Sequence, residues 1–294
     1  MARDVRLGWW KVVTLLAGGA IGVMTLMAFV LAPVNTAGPC TVVAGPTKLP
    51  EIPEASGLAI SRRTPGVIWS HNDSGNPEVL FALDARGNVR GRVRVPIRLR
   101  DWEDVSAARC ESGPCLYIAD IGDNGFTRRR IEIVRVSEPA PGDAQTAPPE
   151  VFHATYSDGR HNAEAMFVIG TDMFIVTRDG TGGLYRATPA SDSRRQLTFE
   201  RIGQLGLTVV TDAEASPDEK WVAVRTSHEV AVYRTSELLE GRHTPHARIP
   251  IDGLKEAQGE GVAIDDNGTI YLASEGRPWS RSGTFMRLRC NLEK

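Results

Sequence analysis

A unit of about 48 residues recurs along the chain, and a period of that length constrains the fold more than any single motif does. Each copy has a small-residue strand opened by an acidic or hydroxyl residue, a turn, and a β-rich strand that ends in polar residues. The copies pair Ser56-Gly-Leu-Ala-Ile with Val67-Ile-Trp-Ser-His, Glu103-Asp-Val-Ser-Ala with Leu116-Tyr-Ile-Ala-Asp, and Glu164-Ala-Met-Phe-Val with Met173-Phe-Ile-Val-Thr. They continue with Asp212-Ala-Glu-Ala-Ser and Trp221-Val-Ala-Val-Arg, then Glu260-Gly-Val-Ala-Ile and Ile270-Tyr-Leu-Ala-Ser. The openings at 56, 103, 164, 212 and 260 are spaced by 47, 61, 48 and 48 residues. Two further β-rich runs follow in each of the first four copies. Four strands at this period predict a β-propeller blade. The chain is expected to be all-β and five-bladed, with six blades as the fallback if a degenerate unit hides in the 61-residue interval. That interval also holds Ser137 to Pro149, whose Pro and Ala content predicts a surface loop.

The last copy supplies only three strands, ending at Cys290. The missing outer strand is available at Cys40-Thr-Val-Val-Ala. In an antiparallel pair the end of one strand lies beside the start of the other, so ring closure brings Cys40 to Cys290. Cys110 and Cys115 flank a Glu-Ser-Gly-Pro turn and form the local pair. Two disulfides imply an oxidising compartment.

Val12 to Ala32 are 21 consecutive uncharged, mostly apolar residues, enough for a membrane-spanning helix of about 30 Å. Pro33 follows the best cleavage site, so retention as a signal anchor is expected over removal. Pro39 before Cys40 argues against lipidation there. Arg3, Arg6 and Lys11, opposed only by Asp4, place the N-terminus in the cytoplasm. Gly18 and Gly22 give a small-residue spacing suited to packing another helix. The expected domains are thus 1–33 as cytoplasmic start and anchor, 34–49 as linker and closing strand, and 50–294 as the propeller. Removing residues 1–39 leaves 31 basic against 35 acidic residues, a net charge of -4. With no sustained basic run, nucleic acid is excluded as an expected partner.

Several phrases resemble the inner-strand motifs of the phytase-like and esterase-like group of secreted bacterial propellers: Ser56-Gly-Leu-Ala, Asp101-Trp-Glu-Asp-Val, Ala119-Asp-Ile-Gly-Asp-Asn124, Asn162-Ala-Glu-Ala-Met and Gln258-Gly-Glu-Gly-Val. The resemblance covers roughly residues 50–290. It implies the same propeller architecture; phytase activity is not carried over, because the paired-Asp signatures of propeller phytases are absent. The expected location is a bacterial inner membrane, with the propeller periplasmic or otherwise extracytoplasmic.

In a blade, the start of the first strand and the end of the second lie on one face of the ring. One column there reads Ser56, Glu103, Glu164, Asp212 and Glu260, with Glu54 and Asp101 two residues earlier; the other reads His71, Asp120, Thr177, Arg225 and Ser274. Asn72, Asp73, Asp123, Asn124, Arg178, Asp179, Glu275 and Arg277 lie just beyond. Carboxylates gathered on an axis need compensation. Glu103, Glu164, Asp212 and Glu260 could hold Ca²⁺. Arg178, Arg225 and Arg277 could neutralise them. Alternatively the acids could cap backbone N–H groups of neighbouring inner strands. No nucleophile elbow, zincin pair or P-loop is present, and no catalytic residue is assigned. The expected function is a binding or scaffolding module, such as an accessory subunit of a membrane complex; the alternative is a Ca²⁺-dependent hydrolase of phosphoesters, esters or lactones.

Overall fold

Ala, Gly and β-branched residues dominate the recurring strands, a composition that suits pleated strands buried on both faces. The computed structural model describes residues 36–37, 39–189, 195–254, 256–276 and 282–292. The chain divides into Met1–Pro33 and Val34–Lys294. The expected span over 12–32, its Gly18 and Gly22, and Arg277 all lie outside the described residues, among which no helix is long and apolar enough to cross a membrane.

Short β1 (Thr36–Ala37) leads into β2 (Cys40–Leu49). Four antiparallel runs of four strands follow. The first is β3 (Ala55–Ile60), β4 (Ile68–Asn72), β5 (Val79–Leu83) and β6 (Val89–Arg94). The second is β7 (Trp102–Cys110), β8 (Gly113–Asp120), β9 (Ile131–Ser137) and β10 (Glu150–Tyr156). The third is β11 (Ala163–Ile169), β12 (Asp172–Thr177), β13 (Gly183–Ala187) and β14 (Gln196–Gln204). The fourth is β15 (Val210–Ala215), β16 (Trp221–Thr226), β17 (Glu229–Arg234) and β18 (Ala247–Pro250). A last sheet orders β19 (Gln258–Ile264), β20 (Thr269–Glu275), β21 (Gly283–Cys290), β2 and β1. Its outer strand therefore comes from the start of the domain. Outer strands β10 and β14 also pair in parallel, which joins the second and third runs into one eight-stranded sheet.

The first strands β3, β7, β11, β15 and β19 neighbour one another in cyclic order, β19 returning to β3. Apolar clusters fill the spaces between successive runs. Trp69 and Trp102 meet between the first and second, and Phe167 and Val222 between the third and fourth. Leu58, Phe81, Ala273 and Phe285 meet between the last and the first. The molecule is an all-β, propeller-type fold whose runs close on themselves.

Closure is covalent. Cys40 lies directly opposite Cys290 in the β2–β21 ladder and is bonded to it, while Cys110 is bonded to Cys115 across the β7–β8 turn. The 61-residue interval contains two long connections and no additional strands among the described residues. The Ser137 to Pro149 stretch is largely exposed, as expected of a surface loop, but is pinned at one buried residue. Glu138 is 2% exposed and accepts hydrogen bonds from Trp69 Nε1 (2.8 Å), the Arg62 N–H (3.0 Å) and the Ser61 hydroxyl. A buried carboxylate with three donors fastens this connection onto the first run.

The chain-entropy model makes the two disulfides unequal. Cys40 and Cys290 are 250 residues apart and Cys110 and Cys115 are 5 apart, which predicts about 5 kcal/mol against about 2 kcal/mol. Denaturant unfolding is therefore expected to show a markedly larger loss for the Cys40→Ser/Cys290→Ser double variant than for Cys110→Ser/Cys115→Ser. Equal losses would contradict closure through Cys40 and Cys290.

Candidate functional site

All five first strands carry one extra residue at the same level, the irregularity falling at Ala55/Leu58, Trp102/Asp104, Ala163/Ala165, Val210/Asp212 and Gly259/Val262. Such bulges re-aim side chains. Ala55, Trp102, Ala163, Val210 and Gly259 lie opposite Asn72, Asp120, Thr177, Thr226 and Ser274 on the second strands. The residues that follow them are Ser56, Glu103, Glu164, Thr211 and Glu260, and one step further come Gly57, Asp104, Ala165, Asp212 and Gly261. Asp212 thus departs from its expected place beside Glu103, Glu164 and Glu260. It belongs to the deeper level with Asp104, and Thr211 takes its place at the mouth. His71 and Arg225 likewise sit one step inward of Asn72 and Thr226.

The deeper level is a junction of strands. Asp104 is fully buried and accepts the Met166 N–H at 2.7 Å; Asp212, equally buried, accepts the N–H groups of Leu58 (3.2 Å) and Val262. Burial pushes Asp104 well above the usual carboxylate range, and the Asp212 charge adds to that. Asp104 is therefore held toward its acid form, a hydrogen bond to Asp212 favouring the proton on Asp104. Burial raises Asp212 to about 7 against this hydrogen bond and the two N–H groups. Two carboxyls on β7 and β15 thereby reach β11, β3 and β19 as well. Gly57 and Gly261 at this level have no room for a side chain. A Cβ on Gly57 would collide with Asp104 Oδ1, and one on Gly261 with the Ser56 carbonyl.

Glu214, below Asp212, repeats the device. It accepts from Ser106 Oγ (2.6 Å) and the Ala107 N–H (3.2 Å), with Arg62 at 3.6 Å. Burial raises it to about 8, while Arg62 and Ser106 hold it down.

At the mouth, Ser56 Oγ donates to the Glu103 carbonyl (2.7 Å) and Thr211 Oγ1 to the Glu260 carbonyl (2.9 Å). Glu103, Glu164 and Glu260 are the remaining members of the ring, with Glu54, Asp73, Asp101 and Glu275 around them. Burial, then the charges of Asp73, Asp101 and Glu260, push Glu103 up to about 9. Burial also raises Glu260 and Asp73, and with Glu260, Asp73 and Glu54 it raises Glu275 to about 7. Arg178 pairs with Glu164, and its charge reaches Asp73, Glu103, Glu260 and Glu275. The Arg225 charge also reaches Glu260, from a deeper position. Arg225 is buried, bonded to Glu256 (2.6 Å) and to the carbonyls of Gly261 and Ala273. Among the described residues no three of these acids gather closely enough to hold one metal ion.

Other expected residues are structural. Asp120 accepts the N–H groups of Arg100 and Asp101 and pairs with Arg128 (2.7 Å); Asp123 accepts those of Thr127 and Arg128. His71 stacks on Trp102 at 4.0 Å and donates from Nδ1 to the Asn72 carbonyl. Burial lowers it to about 3, so the ring is neutral. One constellation is absent from the sequence expectations. His161 places Nδ1 3.0 Å from Asp179 and Nε2 3.0 Å from Asp158 and 2.9 Å from Tyr185 Oη.

No family model and no curated protein matches the chain. Among solved structures it is similar to a gluconolactonase from Xanthomonas campestris, with 9% identity, 86% of this chain and 89% of that one covered, and a TM-score of 0.48. It is also similar to Kuenenia stuttgartiensis hydrazine synthase, with 14% identity, coverage of 78% and 58%, and a TM-score of 0.39. For the Dos1 propeller the identity is 11%, the coverage 75% and 53%, and the TM-score 0.36. The chain spans little more than half the length of the last two. At these TM-scores none of the three bears on what this chain does.

Carboxyls raised by folding bind protons more tightly folded than unfolded, so their stabilisation is complete below the unfolded carboxylate range and is lost as pH climbs through their folded values. Those values are about 7, 8 and 9 for Asp212, Glu214 and Glu103. Stability is expected to fall from pH 5 to pH 9 and then level off, each group contributing a slope of at most about 1.4 kcal/mol per pH unit. Denaturant unfolding across that range checks this, and Glu214→Gln should flatten the curve by one group's share.

Proposed function

We propose that this chain is a binding module whose mouth accepts a positively charged group, a lysine or arginine side chain presented by a partner protein. The ring of Glu103, Glu164 and Glu260, flanked by Glu54, Asp73 and Glu275, is the observation that carries this reading. Burial, and then the neighbouring acids, hold Glu103 and Glu275 above the usual carboxylate range, and an incoming cation relieves that. Arg178 on Glu164 illustrates the kind of group the mouth accommodates, since a guanidinium meets a carboxylate through charge-assisted hydrogen bonds. The acids lie spread around the mouth and do not converge on one point, which favours an extended cationic ligand over a single ion.

The remaining parts of the reading follow from the same domain. Five antiparallel runs in cyclic order support five blades. The two disulfides support an extracytoplasmic location. The apolar stretch over 12–32 supports a tether in the inner membrane, which would hold the module beside membrane-borne partners.

A second reading, hydrolysis of a phosphoester, ester or lactone with Ca²⁺, is favoured by Glu103. A carboxyl raised to about 9 is suited to proton donation at neutral pH. Asp212 has no part in such a site, and Glu103, Glu164 and Glu260 would be the carboxylates left to it.

Titration of the purified full chain with a fluorescent oligo-arginine peptide, followed by anisotropy, tests the binding reading. Binding is expected to weaken with salt and to drop at least about tenfold in Glu103→Gln/Glu260→Gln, which corresponds to about 1.4 kcal/mol. Absence of peptide binding, together with calcium-dependent stabilisation and turnover of a lactone or phosphoester, would replace it by the enzyme reading.

A further inference from the structure

The connection from β8 to β9 and that from β10 to β11 leave the same face as the mouth, and a small cleft lies between them on its rim. Its lining includes Asp123, Arg128, Arg129, Arg130, Tyr156 and Arg160, and its volume is about 10 Å³, room for one water-sized group. Tyr156 is 8% exposed and Arg128 6% exposed, yet Tyr156 Oη and Arg128 Nε have no hydrogen-bond partner. Arg128 cannot swing to find one. Its Nη1 is fixed between Asp120 (2.7 Å) and the Gly122 carbonyl (2.9 Å). Burial keeps the Tyr156 phenol protonated, so both unpartnered atoms carry a hydrogen and both require an acceptor.

We propose that this cleft binds a tetrahedral oxyanion, a phosphate or sulfate group, with one terminal oxygen between Tyr156 Oη and Arg128 Nε and the others facing Arg129, Arg130 and Arg160. The charge around the cleft supports an anion over a water molecule. Arg129, Arg130 and Arg160 are exposed and form no ion pair among the described residues; Arg160 donates to the Phe126 carbonyl at 3.0 Å. The acids nearby are already committed. Asp123 accepts the Thr127 and Arg128 N–H groups, and Asp158 and Asp179 bond His161. Guanidinium groups fanned around a single-oxygen recess match a phosphoryl group, which offers several acceptor oxygens at once. None of these residues belongs to the acidic mouth, so this site does not depend on what the mouth binds.

Calorimetric titration of the full chain with inorganic phosphate, sulfate and glycerol phosphate, against sodium chloride at matched ionic strength, tests the proposal. Saturable binding of at least one of the three is expected. Phosphate alone marks a free-anion site, and glycerol phosphate binding more tightly marks a phosphoester end. Tyr156→Phe should weaken binding about tenfold and Arg129→Ala/Arg130→Ala by at least as much. Both variants should keep the wild-type melting temperature, and Glu103→Gln should bind as wild type does. Heats no larger than those of chloride, or unchanged affinity in both cleft variants, would overturn the proposal and leave the recess as a water site.

Discussion

A pair of buried carboxyls ties the inner strands together by accepting their main-chain N–H groups. Asp104 and Asp212 between them accept main-chain N–H groups of β3, β11 and β19 while belonging to β7 and β15. Two ionised carboxylates at this depth would repel in a medium that screens them poorly. One acid and one carboxylate instead make a hydrogen bond. Of the remaining first strands, β3 makes room for Asp104 by carrying Gly57 at the same level. Replacing Asp104 by Ala would leave the Met166 N–H buried without an acceptor, at a cost of about 1–3 kcal/mol for that group alone.

Much of this was legible from the repeat. The small-residue strands, the borrowed outer strand and both disulfides follow from spacing, because a strand period of two and a blade period near 48 leave few alternative registers. The idea that buried acids cap neighbouring inner strands was also available beforehand as one of three compensations, and it describes Asp104, Asp212 and Glu214. The fourth copy was misread by one residue. Its second strand runs to Thr226, so aligning Arg225 with Asp120 displaced Asp212 outward; only the bulge register reveals that Thr211 is the mouth residue. His161, Tyr156 and Arg128 lay in connections between strands, where no periodicity marks a position, and their convergence depends on how two long loops meet. The packing of Glu138 under Trp69 was hidden for the same reason.

The charge distribution separates two regions of one face. Over the axis, Glu103, Glu260, Glu275 and Asp73 are held above their ordinary protonation range, first by burial and then by one another. On the rim of the second run, arginines outnumber the acids that remain uncommitted. Acids held toward their protonated forms thus occupy the centre of this face, and arginines its edge. The deeper carboxyls are fully buried. Their role is to keep the mouth in register, since the same bulge that sends Asp104 and Asp212 inward turns Glu103 outward.

Infrared spectroscopy of the full chain carrying carbon-13 carboxyl-labelled aspartate addresses the protonation of the Asp104 and Asp212 pair directly. At neutral pH the account predicts a carbonyl stretch from protonated, buried aspartic acid that shifts with the label and loses intensity in Asp104→Asn. A spectrum at that pH with every labelled aspartate ionised, or a protonated band that persists unchanged in Asp104→Asn, would contradict the account.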